Sequence, residues 1–254
     1  MDFATLGGLL IGIGAVILSY LMEGGHLSSL LQAPAMILVI FGTIGASTIT
    51  TSIKQLLSAP ILVKVALFEE RMDPLGYIDL IAKFADRARK EGLLALEGMV
   101  KTVENGFLRK GLQLAIDGME PQQVREILEN EMIFMSERHK AGATFFHKLG
   151  GFSPTLGIIG TVLGLIHTLG NMEDASKLAT SIAGAFIATL WGVALANLVY
   201  LPLGDKLKHK HQGEELVHQL ILEGVLSIQM GENPRVIRTK LMSFLTPKLR
   251  QAED

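Results

Sequence analysis

The sequence lacks cysteine altogether and is poor in charged and aromatic residues. Without cysteine the chain can form no disulfide, thiolate nucleophile or cysteine-based zinc site. Charged residues make up 19% of the chain, below the usual ~25%, and mean hydropathy is +0.39. The formal net charge of −2 offers no basic excess for nucleic-acid phosphates, so no nucleic-acid partner is expected. A water-soluble domain of this length is rarely so apolar, and the apolar residues must therefore be concentrated in segments.

Four runs contain no Asp, Glu, Lys or Arg, and each is about as long as a membrane-crossing helix. They are residues 3–21, 31–53, 150–170 and 179–201. A helix needs roughly 20 apolar residues to cross a hydrocarbon core about 30 Å thick, so we predict four transmembrane helices. Buried helices of a soluble protein are the alternative, but such helices are seldom this long without a charge. The first run has no basic residue before it, unlike a signal peptide, and is predicted to be retained.

Lysine and arginine are distributed unevenly around these runs. Residues 54–148 and 202–254 hold 22 of the 23 basic residues, several of them next to membrane ends. Because such residues stay in the cytoplasm, we predict an all-α, multi-pass membrane protein with cytoplasmic N and C termini. The predicted domains are transmembrane helices 1 and 2 (1–53), a helical cytoplasmic domain (54–148), transmembrane helices 3 and 4 (149–203) and C-terminal cytoplasmic helices (204–254).

The cytoplasmic segments show helical patterns and no strand signals. Asp73-Pro74 and Glu120-Pro121 are typical of helix starts, since Asp caps a helix and Pro fits its first turn. Apolar residues then recur at helical spacing. A tail helix is predicted over about 203–230. Four glycines are predicted to divide the loop into short helices: Gly92, Gly98, Gly106 and Gly118.

The third and fourth runs are rich in small residues. Gly160 and Gly164 are four residues apart, a spacing that lets helix backbones approach closely, so packing alone could explain them. Pro154 removes one helical hydrogen bond and leaves a carbonyl free. Freed carbonyls of this kind can line a wet path through a membrane.

Two hydroxyls, those of Thr161 and Thr189, fall near the middle of these runs. Each can bond the carbonyl four residues earlier, or both can face a common cavity and bind a hard cation such as Na⁺. Two oxygens are too few for a desolvated cation, which also needs negative charge nearby. No run contains Asp or Glu. If this protein moves cations, the carboxylate must come from a transmembrane helix of another chain.

The whole chain resembles the MotA/PomA family of flagellar motor stator proteins. The layout of two helices, a long cytoplasmic loop, two helices and a tail is shared, as are five stretches in the same order. These are RKEGLLALE (89–97), PTLGIIGT (154–161), ATLWG (188–192), EGVLSI (223–228) and GENPRVI (231–237). The ExbB and TolQ proteins are more distant relatives and have three membrane helices, so they fit less well.

This resemblance implies a stator subunit in the bacterial inner membrane, surrounded by lipid. Five copies would form a ring around two MotB/PomB-like subunits, whose transmembrane Asp carries the ion. Ion flow would turn the ring and drive the rotor protein FliG. No cofactor is implied other than the translocated Na⁺ or H⁺.

The resemblance also implies roles for single residues. Arg89 and Glu97 align with charged rotor-contact residues, and exposed charges suit brief, repeated contacts. Pro154 aligns with a proline beside the ion path. Pro202 matches loosely the proline at the end of the last span, and we group it with Gly160 and Gly164 as structural or gating residues.

The same comparison bears on the coupling ion. Thr161 and Thr189 align with two threonines of sodium-type stators, whereas many proton-type members have Ala at the Thr161 position. A proton needs no oxygen cage but Na⁺ does, so Na⁺ is favoured over H⁺. Two alternatives are an ExbB/TolQ-like energiser and a membrane-bound enzyme or sensor. We find no nucleotide-binding loop, metal-ligand pair or catalytic cluster, and so expect no enzyme, no catalytic residue and no bound metal.

Overall fold

The computed structural model describes residues 2–68, 73–170 and 175–250. Within these ranges all regular structure is helical, which confirms the all-α fold class. The α-helices are α1 (Phe3–Met22), α2 (Leu27–Leu30), α3 (Ala33–Ile49), α4 (Ile53–Leu67), α5 (Pro74–Glu91), α6 (Glu97–Val100), α7 (Gly106–Ile116), α8 (Pro121–Gly170), α9 (Ala175–Leu195), α10 (Leu201–Gln229), α11 (Pro234–Met242) and α12 (Pro247–Arg250). A 3₁₀ turn (Leu93–Leu96) precedes α6, and a π-helical turn (Ala196–Tyr200) joins α9 to α10.

The chain forms two compact units. The first unit comprises Met1–Glu69 and His139–His209, and the second unit comprises Glu70–Arg138 and Lys210–Asp254. Both α8 and α10 contribute residues to each unit. These units divide the chain by packing, whereas the predicted domains divide it at membrane ends, so the predicted boundaries stay predictions.

Three helical stretches of the described chain are long and apolar enough to cross a membrane. They are Phe3–Met22, a window within Pro121–Gly170, and one within Ser181–Gln229. The predicted second span is a shorter apolar helix, because α3 has only 17 residues. At 1.5 Å per residue it covers about 25 Å, at the lower end of what a bilayer requires.

The early end of α3 has a local cause. The hydroxyls of Thr50 and Thr51 both donate to the Ser47 carbonyl, at 3.0 and 2.9 Å, and so satisfy a carbonyl at the helix end. Ser52 and Gln55 then form a reciprocal capping box that starts α4. The predicted run 31–53 is therefore one helix, a turn and the start of another.

The start of α1 is tied to two other helices of the first unit. The Asp2 carboxylate accepts from the Ala4 amide at 3.1 Å and forms an ion pair with Lys206. Its own amide donates to the Leu67 carbonyl at 3.0 Å. The hydrogen bond from Lys206, helped by that from Thr5, holds the pKa of the Asp2 carboxyl far below its usual range.

The second unit has an apolar core built from amphipathic helices. Its fully buried residues include Ile78 and Phe84 of α5, Leu108 of α7 and Leu220 of α10. The predicted helix start at Pro74 is confirmed, and the Asp73 carboxylate caps α5 by accepting from the Gly76 amide at 3.1 Å.

The predicted start of α8 at Pro121 is also confirmed. Of the four loop glycines, Gly92 and Gly118 follow helix ends with φ of 84° and 81°, where glycine is favoured. Gly106 opens α7, and Gly98 lies inside α6. Only two of the four therefore end a helix.

Candidate ion pathway

Thr161 of α8 and Thr189 of α9 face each other in the first unit. Their Oγ1 atoms are 2.6 Å apart. Thr161 Oγ1 also lies 3.0 Å from the Ala185 carbonyl and 3.2 Å from the Gly157 carbonyl, while Thr189 Oγ1 lies 3.3 Å from the latter. We call these four atoms the oxygen cluster: both hydroxyls and the carbonyls of Gly157 and Ala185. Thr161 therefore contacts its own i−4 carbonyl, as in the first alternative, and also two oxygens of α9. Cation binding by the threonine pair stays a prediction.

Two glycines bring the helices close enough for this cluster to form. A Cβ on Gly157 would lie 2.8 Å from the Ala188 carbonyl and 3.0 Å from the Thr189 Cα. A Cβ on Gly192 would lie 2.6 Å from the Ser153 carbonyl. Both approaches are backbone against backbone, so only glycine fits without a shift of the helices.

The predicted residues Gly160 and Gly164 continue the same contact. A Cβ on Gly160 would lie 2.6 Å from the Ala188 Cβ, and one on Gly164 would lie 2.7 Å from the Ala185 Cβ. This placement agrees with a packing role. A gating role for either glycine stays a prediction.

Pro154 stands inside α8 without ending the helix. Its ring leaves the carbonyl of Gly150 without the usual i+4 donor. The neighbouring Ser153 is fully buried, and its hydroxyl donates to the Gly192 carbonyl at 2.9 Å. A polar link between α8 and α9 therefore lies beside the proline, one turn away from the oxygen cluster.

Pro202 is the second residue of α10, which directly follows the π-helical turn. Because proline has no amide proton, it cannot donate to the Leu198 carbonyl four residues earlier. Loss of that bond gives a local reason for the wider turn. Pro202 also lines a mainly apolar cavity of about 650 Å³ with residues of α1 and α4. Whether it gates anything stays a prediction.

The predicted rotor-contact residues are both exposed in the second unit. Among the described residues Arg89 has no hydrogen bond or ion pair, and so its charge is available to another molecule. Glu97 forms an exposed ion pair with Lys101 at 3.2 Å. A pair so exposed is worth only a few tenths of a kcal/mol and can be exchanged for another partner at little cost.

Sequence reasoning missed several members of this site. The carbonyls of Gly157 and Ala185 could not be found from side-chain chemistry, since any residue has a carbonyl. Trp191 was part of a matched stretch, and its indole N–H donates to the Leu30 carbonyl at 2.7 Å. In the part of the chain that the structure describes, no group of three or more His, Asp or Glu side chains could hold a metal.

Two family profiles match this chain. That of the MotA/TolQ/ExbB proton channel family matches residues 99–219, and that of the motility protein A N-terminal region matches residues 6–92.

Several known proteins also align with this chain over almost their full length. Motility protein A of Bacillus subtilis is 36% identical, with 98% of this chain and 93% of the relative aligned. Chemotaxis protein PomA of Vibrio alginolyticus is 36% identical over 100% of this chain and 99% of its own. Among solved structures, the flagellar MotAB stator complex from Bacillus subtilis matches with a TM-score of 0.92 at 35% identity, covering 97% of each chain. The C. jejuni MotAB structure also gives a TM-score of 0.92, at 28% identity and 97% coverage of each chain.

Proposed function

Since the chain belongs to the motility protein A family, we propose that it is a stator subunit of a bacterial flagellar motor. With a MotB/PomB-like partner it forms an ion channel that converts ion flow into torque on the rotor. The oxygen cluster between α8 and α9 is the observation that carries this proposal for the residues of this chain. It places neutral oxygens from two helices within hydrogen-bonding distance of one another, in the two runs 150–170 and 179–201 that contain no charged residue.

The cluster supports Na⁺ as the coupling ion. Two carbonyls added to two hydroxyls give four oxygens, so the shortage of ligands expected from the threonines alone is reduced. Neutral oxygens replace the water shell of Na⁺ but cannot balance its charge, which is costly to bury. The balance comes from the partner, whose transmembrane Asp supplies the carboxylate that the apolar runs of this chain lack.

The remaining parts of the proposal concern assembly and position. Four helices cross the inner membrane with α3 as the shortest. Both termini lie in the cytoplasm, on the side where basic residues such as Lys54 and Lys148 flank the spans. Five copies form a ring around two partner subunits and are surrounded by lipid. The exposed charges of Arg89 and Glu97 engage the rotor protein FliG, in agreement with the lack of a partner for Arg89 among the described residues.

A sodium titration of motor speed tests the ion assignment. We expect rotation to stop in sodium-free medium. We expect Thr161→Ala, which deletes a hydroxyl touching three other oxygens, to raise the sodium concentration for half-maximal speed by about tenfold, or ~1.4 kcal/mol. Thr48→Ala is the matched control, because the Thr48 hydroxyl bonds only the Ile44 carbonyl of its own helix, at 2.7 Å. Equal sodium curves for Thr161→Ala and the parent would contradict the ion-site role.

A flux measurement tests the need for a partner. Reconstituted in vesicles by itself, this chain should conduct neither Na⁺ nor H⁺, since its spans provide no carboxylate. Co-reconstitution with the partner should give flux, and replacement of the partner's transmembrane Asp by Asn should remove it. Cation flux through the isolated chain would contradict the proposal.

A further inference from the structure

A second cavity, of about 590 Å³, lies in the first unit at the start of α3, the end of α8 and the first half of α9. Four of its lining side chains are polar: Gln32, His167, Thr168 and Ser181. We propose that this cavity is a waiting site for a hydrated monovalent cation on its way to the oxygen cluster. The inference rests on the proposed function and extends it to residues outside the threonine pair.

The Gln32 amide is placed in the cavity by a glycine on the facing helix. A Cβ on Gly184 would lie 2.9 Å from Gln32 Nε2 and 3.0 Å from Gln32 Oε1, so the amide occupies the space of a missing side chain. Gln32 is half-buried, yet its side-chain amide makes no hydrogen bond to any residue that the structure describes. The same is true of the Ser181 hydroxyl within the described ranges. Two neutral oxygens are thus available to water or an ion.

The cavity and the oxygen cluster share a residue. Ala185 lines the cavity, and its carbonyl accepts from Thr161 at 3.0 Å. Gly160 and Gly164, one turn apart on α8, line the same wall and pack against Ala188 and Ala185. The cavity and the oxygen cluster are therefore adjacent, with Ala185 common to both.

The chemistry of the lining suits a passing ion. At about 30 Å³ per water molecule, the volume holds roughly twenty waters, more than one complete hydration shell. Amide and hydroxyl oxygens are ligands for a hard cation, and among the described residues no carboxylate lines the cavity to hold it tightly. Conduction needs sites that an ion enters readily and leaves readily. A lipid chain would instead bury the Gln32 amide without a hydrogen-bond partner, which is costly.

Because the chain has no cysteine, a single introduced cysteine gives a clean test. Gln32→Cys, purified in complex with the MotB/PomB-like partner, is treated with a small cationic methanethiosulfonate, and labelling of this chain is followed by mass spectrometry. We expect the labelling rate in Na⁺ to be several-fold lower than in N-methylglucamine at equal ionic strength, because Na⁺ competes for the cavity. Ser28→Cys is the matched control: Ser28 lies on α2, is exposed and does not line the cavity, so its rate should be equal in both salts.

The other results would overturn the waiting site. Equal rates for Gln32→Cys in both salts would mean that Na⁺ does not enter. No labelling in either salt would mean that a lipid chain or another side chain fills the cavity. If either result were found while Thr161→Ala still changed the dependence of motor speed on sodium, only the waiting site would be contradicted and the proposed function would stand. Motor speed independent of sodium would remove the sodium assignment, and the waiting site with it.

Discussion

The two units of this chain differ in the residues that they expose and bury. In the first unit large apolar side chains such as Leu10 and Phe41 are exposed, whereas Thr43, Ser47 and Ser153 are fully buried. In the second unit the buried residues are mainly large and apolar, and the charges lie outside. The exposed apolar surface of the first unit agrees with helices that are long and apolar enough to cross a membrane. In lipid, burial of large apolar side chains does not drive helices together, so close packing of small residues holds them, helped by interhelical hydrogen bonds such as that from Ser153 to the Gly192 carbonyl.

Gly157 and Gly192 of the first unit make room for a neighbouring backbone, whereas Gly224 of the second unit makes room for a side chain. Gly157 and Gly192 let two backbones touch. In the second unit Gly224 makes room for a side chain, since a Cβ there would lie 2.7 Å from the Ile81 Cδ1. The end of a side chain can rotate away, whereas a backbone cannot move without moving its helix.

The largest expected effect is that of Gly157→Ala. The new methyl group would meet the Ala188 carbonyl at 2.8 Å, so the helices must separate, at a cost of about 1–3 kcal/mol. Thermal denaturation of the purified complex, followed by size-exclusion chromatography, should show a clear loss of stability. Gly151→Ala is the control on the same helix, because nothing lies within 4 Å of its Cβ position. Gly224→Ala should cost less than Gly157→Ala; the reverse order would break the comparison between the units.

The sequence predicted some features of the two units and not others. The starts of α5 and α8 were predictable, because a residue that caps or a proline that fits the first turn acts locally. The end of α3 was not, since hydropathy continues unchanged through Thr50 and Thr51, whose hydroxyls bond the Ser47 carbonyl at the helix end. At the candidate site the threonine pair was predicted, but its carbonyl ligands depend on how closely α8 and α9 pack. Such tertiary distances leave no mark on composition or spacing.

The next largest effect is expected from Glu223→Gln in the second unit. Glu223 accepts from Arg125 of α8 at 3.0 Å and pairs with Lys240 of α11 at 3.1 Å, so it joins three helices. Because Arg125 and Lys240 are partly solvated, we expect the free energy of unfolding to fall by about 1 kcal/mol, which lowers the thermal denaturation midpoint. Asp86→Asn is the control, since it removes only the exposed pair of Asp86 with Lys90. If Asp86→Asn lowered stability as much as Glu223→Gln, the contacts of Glu223 with Arg125 and Lys240 would add no more stability than one exposed ion pair.

The effect of Glu223 should depend on pH. Burial raises the pKa of its carboxyl, but hydrogen bonds from Lys240 and Arg125 outweigh burial and leave that pKa below its ordinary value. The stabilisation is therefore complete above the ordinary pKa and is lost as pH falls through the lowered one. Denaturation midpoints of the parent and Glu223→Gln should differ at neutral pH and converge in acid. A difference that grows in acid would have the wrong sign.

The smallest change in stability is expected from Arg89→Glu, because Arg89 is exposed and has no partner among the described residues. Stability should stay within about 0.5 kcal/mol of the parent, as for other surface substitutions. Torque should nevertheless fall, since a reversed charge repels the rotor group that the parent attracts. Reversal of the matching charge on the rotor should restore part of the torque, and Lys83→Glu, on the same helix, is a control for the change in net charge. If no rotor substitution restored torque, or if Lys83→Glu lowered torque as much as Arg89→Glu, Arg89 would be an ordinary solvated charge on a helix face. The exposed charges of the second unit would then have no part in contacting the rotor.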